Sequence, residues 1–368
     1  MKIVCSKNEL TKGINIVSKA VPTRSTMSIL ECILIDATTD SIKLTANDMN
    51  LAIETIIEGT IEERGAIAID YRMLSEYVGS FTGDMVTIES GDENKVNIYC
   101  EKSKFNNVEI KPASDFSAVP TVTRNEPIVI SQLTLREVIN KTIFSIGDDK
   151  GNKLMTGVLF EIEEDNLKVV SLDGFRISIR NIGLKNSYSS KKVVIPGKTL
   201  KEIVKIIGGG SEDMVNIYTT DNHIIFEYDN TTVVSRLIEG EYFKIDQMIP
   251  QYYETELIVN KKELLDTVNS ASLLSREGDI RPINFNITDD NINISINSNR
   301  SGYTGDVSTQ KTGADLKIAF KPKFMIDALK VIDEDEIGMY MIDKKSPCVI
   351  KDEEGSYIYM LLPVNTAN

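Results

Sequence analysis

The chain has 368 residues, 41% of them hydrophobic, with 41 lysines and arginines against 55 aspartates and glutamates and a net charge of −14. That length predicts two or three domains, each able to bury its own core, and the negative charge argues at face value against nucleic acid as a partner. One histidine, no tryptophan and four widely separated cysteines (Cys5, Cys32, Cys100, Cys348) leave little for Ser-His-Asp catalysis, a metal site or a disulfide framework.

In chain order, Met1-Lys2-Ile3-Val4-Cys5 leads straight into polar residues with no signal-peptide core. No later run approaches the ~20 apolar residues of a membrane span, so a cytoplasmic protein without a membrane partner is expected. Three segments open helices with the same grammar, a capping residue followed by apolar residues at helical spacing. They start at Ser6, Ser131 and Asn260. Later in each segment a strand runs into a second helix, at Tyr71, Lys198 and Lys323, which are 127 and 125 residues apart. Short β-rich runs separated by turn residues fill the rest, among them Ile33–Asp36, Val158–Ile162 and Ile292–Ile296. His223 sits in an Asp-Asn-His turn and reads as a turn residue.

Each copy therefore reads helix, strands, helix, strands, an α+β plan repeated three times in tandem. The expected domains are 1–124, 127–250 and 255–368, joined by short stretches without Gly/Ser enrichment that act as stiff joints. Asp173-Gly174 falls between β-rich runs and predicts a two-strand turn, leaving Phe175 and Arg176 just past the corner. The chain also stays apolar close to its end, at Tyr359-Met360-Leu361-Leu362-Pro363-Val364, where frayed polar residues are usual.

The charge is unevenly placed. Helical segments at 7–24, 70–80, 131–150, 197–208, 261–276 and 321–330 carry +7 in total, leaving −21 on the remaining residues. In the helix from Lys198, residues Leu200, Ile203, Val204 and Ile207 share one face, while Lys198, Lys201 and Lys205 share the opposite one. Such a basic surface would contact phosphates without reading bases.

The residues at this point resemble a known family. Arg24-Ser25-Thr26-Met27-Ser28-Ile29-Leu30, Leu44-Thr45-Ala46-Asn47-Asp48, Phe144-Ser145, Gly157-Val158-Leu159-Phe160-Glu161, Asp173-Gly174-Phe175-Arg176, Val194-Ile195-Pro196 and Met360-Leu361-Leu362-Pro363-Val364 occur in the order and at the spacing of the bacterial DNA polymerase III β subunits, the replicative sliding clamps. The resemblance covers essentially the whole chain. It implies three sliding-clamp domains per protomer, with two helices of each on the inner face and antiparallel sheets outside. Two protomers would join head to tail into a ring around duplex DNA. The implied function is non-catalytic: a processivity factor that slides without sequence specificity and tethers its clients. Implied partners are the polymerase α subunit, the clamp loader complex and other proteins carrying a clamp-binding motif; no cofactor and no metal are implied.

Carried over by position, DNA contacts fall on Arg24 and on the loop holding Asp149, Lys150, Lys153 and Leu154. Asp149 and Leu154 stand where relatives often have an amide and an aromatic residue, which puts the weight on Arg24, Lys150 and Lys153. The partner groove maps to Met155, Thr156, Leu172, Gly174, Phe175, Arg176, Ile177, Phe243, Gln247, Met248, Ser346, Met360, Leu361, Leu362, Pro363 and Val364. The resemblance sets the Asp-Gly turn and the apolar tail on opposite sides of it. Glu241-Tyr242-Phe243-Lys244 replaces the usual Phe-Pro pair, and Asn365–Asn368 extends the tail. The dimer contact maps to Lys104, Phe105 and Asn107 against Leu273 and Leu274. The rival readings are a metal-dependent nuclease using Asp148-Asp149, Asp289-Asp290 or Asp333-Glu334-Asp335-Glu336, and a DNA-binding protein that is not a clamp.

Overall fold

The structure is a computed structural model that describes residues 1–91, 94–120, 122–148, 151–275, 281–298, 301–352 and 354–364. Six α-helices occur among them: α1 (Lys7–Val17), α2 (Tyr71–Ser80), α3 (Gln132–Asn140), α4 (Gly197–Ile206), α5 (Lys261–Ser272) and α6 (Pro322–Leu329). Each copy opens with a strand that runs directly into a helix, Lys2–Ser6 into α1, Ile128–Ser131 into α3 and Thr255–Asn260 into α5. The sequence pattern did not reveal these opening strands. Ser6 and Asn260 cap their helices by accepting hydrogen bonds from the backbone N–H groups of Glu9 and Glu263, at 3.1 and 3.0 Å.

The first helix of each copy is shorter than its apolar spacing suggests. After Val17 the chain tightens into a 3₁₀ turn, Ser18–Ala20, ahead of Pro22, which disfavours helix at the residue before it. Thr142 ends α3: its hydroxyl donates back to the Val138 carbonyl at 2.7 Å, and the chain leaves through the 3₁₀ turn Ile143–Ser145. The helix expected over 131–150 thus stops at Asn140. Residues 19, 24, 321 and 330 fall outside the helices, and the net charges of α1 to α6 are +1, 0, 0, +2, 0 and 0. The basic excess therefore sits largely on the turns flanking the helices, with α4 the clear exception.

The three copies share one way of joining their two helices. The backbone N–H opening the first helix donates past the end of the second: Lys7 to Asp84 O (2.7 Å), Gln132 to Asp213 O (2.7 Å) and Lys261 to Asp335 O (2.8 Å). The same residues also use their side chains there. Lys7 Nζ reaches Gly79 O and Phe81 O, and Lys261 Nζ reaches Ile332 O and Asp333 O. Gln132 Oε1 accepts from Gly209 N at 2.9 Å. The carbonyls ending a helix lack partners and carry the negative end of its dipole, so a lysine ammonium suits them.

Two compact bodies result, one from Met1–Leu133 with Glu202–Leu237 and one from Thr134–Lys201 with Ile238–Asn368. Sheets that run on across the copies are responsible. In the first body, Leu51–Ile57 of the first copy pairs with Thr231–Arg236 of the second, inside a nine-stranded sheet. Buried Thr55 and Thr231 hydroxyls meet across that seam at 2.9 Å. In the second body, Arg176–Pro196 of the second copy pairs with Tyr357–Leu361 of the third, inside a ten-stranded sheet. All four cysteines are buried free thiols, and burial pushes the Cys5 thiol up to about 12. No helix is long and apolar enough to cross a membrane among the described residues.

Candidate partner groove and nucleic-acid interface

The Asp-Gly turn is tight. Leu172 pairs with Ile177, and the Asp173 carboxylate accepts the N–H groups of Phe175 (2.9 Å) and Arg176 (3.1 Å). Gly174 has φ +85° and Phe175 does not share that region, so only the first central position needs the conformation that glycine supplies without strain. Arg176 is buried and fixes the corner from behind. Its Nε donates to Asp173 Oδ2 at 2.9 Å, Nη1 to Asp327 Oδ2 at 2.7 Å and Nη2 to Phe144 O at 2.6 Å. Phe175 is thereby presented outward, with 52% of its surface exposed.

The apolar tail is the neighbouring strand to this turn and does not form an opposite wall. Arg176 pairs with Leu361 and Ile177 with Met360. Beyond the strand, Leu362 N donates to Phe175 O and Val364 N to Ala319 O, both at 2.8 Å. Strand alternation then sorts the residues expected to line the groove. Leu172, Ile177 and Met360 share one face and form a buried apolar cluster with Leu159, Val194 and Ile245. Leu361 points the other way, into the core of the third copy. Leu361 and Arg176 are therefore supports beneath the site, because the pleat places both on its far face.

Around this floor, Met155, Tyr242 and Phe243 pack half-buried against the cluster, and Leu154 joins them. Gln247, Met248 and Leu362 are exposed, as is Gly174, while Pro363 and Val364 are half-buried. Thr156 donates its hydroxyl to Lys153 O at 2.8 Å. Ser346 lies two residues before Cys348, which pairs with Leu361; its N–H donates to the Asp343 carboxylate at 2.7 Å. A cavity of about 440 Å³ opens beneath the segment from Gly240 to Gln247, with Lys168–Asp246 (2.7 Å) and Lys192–Glu161 ion pairs at its edge. Sequence reasoning missed Lys321 and Phe324, which flank Phe175. They stand some 150 positions away in a segment whose only signal was helical spacing.

The residues expected at DNA fall on separate elements of the two bodies. Arg24 is exposed in a loop that Arg72 fixes by donating to Thr23 O at 3.2 Å. Lys153 is exposed at the start of a 3₁₀ turn capped by Asn152. Leu154 packs against Gly240 as part of the apolar cluster. Asp149 and Lys150 lie outside the described residues, as does the extension Asn365–Asn368. On α4, Leu200 and Ile203 are buried, as is Ile207 just past its end, while Lys198, Lys201 and Lys205 are exposed. Lys205 pairs with Glu202 at 2.8 Å, whereas Lys201 has no carboxylate partner among the described residues.

At the expected dimer contact, Ser103–Glu109 is an edge strand of the five-stranded sheet in the first body. Lys104 and Asn107 are exposed, and the half-buried Phe105 ring stacks on Tyr77 with centroids 4.0 Å apart. In the second body Leu273 is 75% exposed and Leu274 packs against the core. No three acidic, histidine or cysteine side chains converge as a metal site would require among the described residues.

Comparison with known proteins bears on the whole chain. The N-terminal, central and C-terminal domain models of the DNA polymerase III beta subunit match residues 1–120, 129–244 and 246–365. The beta sliding clamp of Bacillus subtilis is 33% identical over 379 residues, and that of Staphylococcus aureus 29% over 377, each covering both chains completely. A crystal structure of a Eubacterium rectale protein assigned to the DNA polymerase III beta subunits superposes with a TM-score of 0.97 at 60% identity, again over both full lengths. The DNA polymerase sliding clamp of Bacillus subtilis superposes at 0.96 with 31% identity over the same extent. The chain belongs to the DNA polymerase III beta subunit family, the bacterial sliding clamps.

Proposed function

We propose that this protein is a DNA replication processivity factor: a homodimeric ring of six clamp domains that encircles duplex DNA and tethers the proteins acting on it. The observation that carries the reading is the family match over the entire chain; it is supported by the buried apolar cluster of Leu172, Ile177 and Met360 and by the exposure of Phe175, Met248 and Leu362. The protein does no chemistry of its own. Enclosure holds it on DNA, loose phosphate contacts through water let it slide, and tethering raises the local concentration of a polymerase at the primer end. Sliding clamps are non-catalytic accessory subunits, and the acidic runs at Asp148, Asp289 and Asp333 serve as solvated surface or structural pairs in this reading.

The three domains of each protomer span 1–124, 127–250 and 255–368. Arg24, Lys150, Lys153 and the α4 lysines face DNA. The edge strand Ser103–Glu109 meets the Leu273–Leu274 turn of a second copy, which covers an otherwise open sheet edge. The groove takes short peptides of the polymerase α subunit, the clamp loader and other clients. Its Met and Leu lining adapts to several sequences, and the cytoplasm is where these partners work. Primer extension on a primed circular template, with a bacterial polymerase and its loader, tests the reading: product length rises with wild type, and rises less with the Phe175→Ala chain. Equal product lengths with and without the wild-type chain would contradict it.

A further inference from the structure

The tail strand Tyr357–Leu361 is apolar on both sides. Tyr357, Tyr359 and Leu361 enter the core of the third copy, while Ile358 and Met360 join the apolar cluster of the floor. Hydrophobic alternation fixes a register only where the two faces of a strand differ. A one-residue slip of this strand exchanges apolar residues for apolar residues, and it turns Leu361 onto the floor in place of Met360. The pairing therefore needs a specific contact to hold it.

Such a contact stands where the pairing begins, with Arg180 opposite Tyr357. Arg180 Nη1 donates to Ser356 Oγ and lies 3.5 Å from Asp352 Oδ2, and Nη2 donates to Glu137 of α3 at 3.1 Å. The Asp352 carboxylate is 2% exposed and organises the turn that leads into the tail strand. Its Oδ2 accepts Ser356 Oγ at 2.5 Å and Tyr357 N at 2.9 Å. In return, Ser356 O accepts the N–H of Asn181 at 2.9 Å. One repeat earlier the matching pair is Thr55 opposite Thr231, joined by hydroxyls alone. The strand carrying Thr231 is itself mixed in polarity, with Thr232, Ser235 and Arg236.

We propose that Arg180 and Asp352 are positioning residues that lock the tail strand in register, so that Met360 and not Leu361 completes the floor. The consequence for binding rests on reading this face as a peptide groove; the lock itself does not. A slip of one residue moves Ser356 and Tyr357 about 3.3 Å along the strand. Asp352, tied to both, is then drawn from a guanidinium that Glu137 holds from α3. Two buried charges parted in this way strongly disfavour the slipped pairing, and a buried polar pair is a known means of fixing register. The first seam, with a tail strand of mixed polarity, carries no ionic pair at the matching position.

Methyl-labelled full-length protein reads the register directly, through nuclear Overhauser contacts between Ile177 and either Met360 or Leu361. Wild type should show the Ile177–Met360 contact alone. The double variant Arg180→Met/Asp352→Asn keeps the apolar stem and the acceptor for Tyr357 N–H, and Glu137 keeps Lys141 at 3.2 Å. It should show a second set of signals with an Ile177–Leu361 contact. Client-peptide affinity should fall with the slipped fraction, about twofold when half the chains are slipped. A folded double variant with the native contact alone overturns the inference. Where the double variant does not fold, Asp352→Asn by itself is held to the same criterion. A second register that leaves peptide affinity unchanged keeps the lock and overturns the groove reading instead.

Discussion

Arg176 and Phe175 are adjacent in sequence and opposite in role, and the turn that separates them explains both. Arg176 holds two carboxylates and a carbonyl in a buried setting, so removing it strands Asp173 and Asp327. Arg176→Met should cost about 3 kcal/mol, read as a lowered urea midpoint. The exposed Phe175 ring meets Lys321 and Phe324, so Phe175→Ala should leave the thermal midpoint nearly unchanged. It should still weaken client-peptide affinity about tenfold, or ~1.4 kcal/mol, by fluorescence polarisation. A third residue sets an acid limit. The hydrogen bond from buried Lys141, 2.8 Å away, holds the Asp333 carboxyl below its ordinary range. A depressed carboxyl contributes stability that is complete above the unfolded value of about 3.9 and fades as pH falls toward the folded one. Glu137, Arg180 and Lys261 share this neighbourhood. The fall in thermal midpoint on acidification below about pH 4 should be smaller in Lys141→Met than in wild type.

At the scale of elements, the tail strand separates folding from binding. Tyr357–Leu361 is paired on both sides, to Arg176–Arg180 and to Cys348–Lys351, so a truncation that removes Met360 dismantles the sheet. Among the described residues, ending the chain after Leu361 removes the backbone bonds of Leu362 and Val364 beyond the strand. That shorter truncation should lower the midpoint by a few degrees at most, about 1 kcal/mol, yet abolish peptide binding. Helix α4 offers a separate test. Lys201 lacks a carboxylate partner among the described residues while Lys205 pairs with Glu202, so Lys201→Gln should reduce the salt dependence of DNA retention by roughly one phosphate's worth and Lys205→Gln by less.

These elements also mark how far the sequence could be read. Apolar spacing located all six helices and the strand-to-helix joints before α2, α4 and α6, because periodicity reports burial directly; the strands opening each copy went unread. It overran α3, since nothing local marked Thr142 as the residue whose hydroxyl would turn back on Val138. The Asp173-Gly174 corner was legible because turn chemistry is local. The pairing of that corner with residues near 360 rested on resemblance, as did the choice of groove residues. The split between floor and support, Met360 against Leu361, follows from strand register, which a single strand pattern leaves open. Lys321 was invisible because its partner ring is distant in the chain.

At the scale of the whole molecule, topology reconciles a net charge of −14 with a DNA-centred role. An acidic protein with few basic elements binds open DNA weakly, yet a closed ring needs only to avoid repulsion where the duplex passes. The dimer contact belongs to this scale: Leu273→Glu, placing charge on a side chain already exposed in the protomer, should shift sedimentation from dimer to monomer without unfolding either copy. The central claim is enclosure, and retention on circular DNA tests it most directly. Protein loaded onto a nicked circle should remain bound through gel filtration at moderate salt and be lost once the circle is linearised. Equal retention on linear and circular DNA, or loss from both, would contradict it.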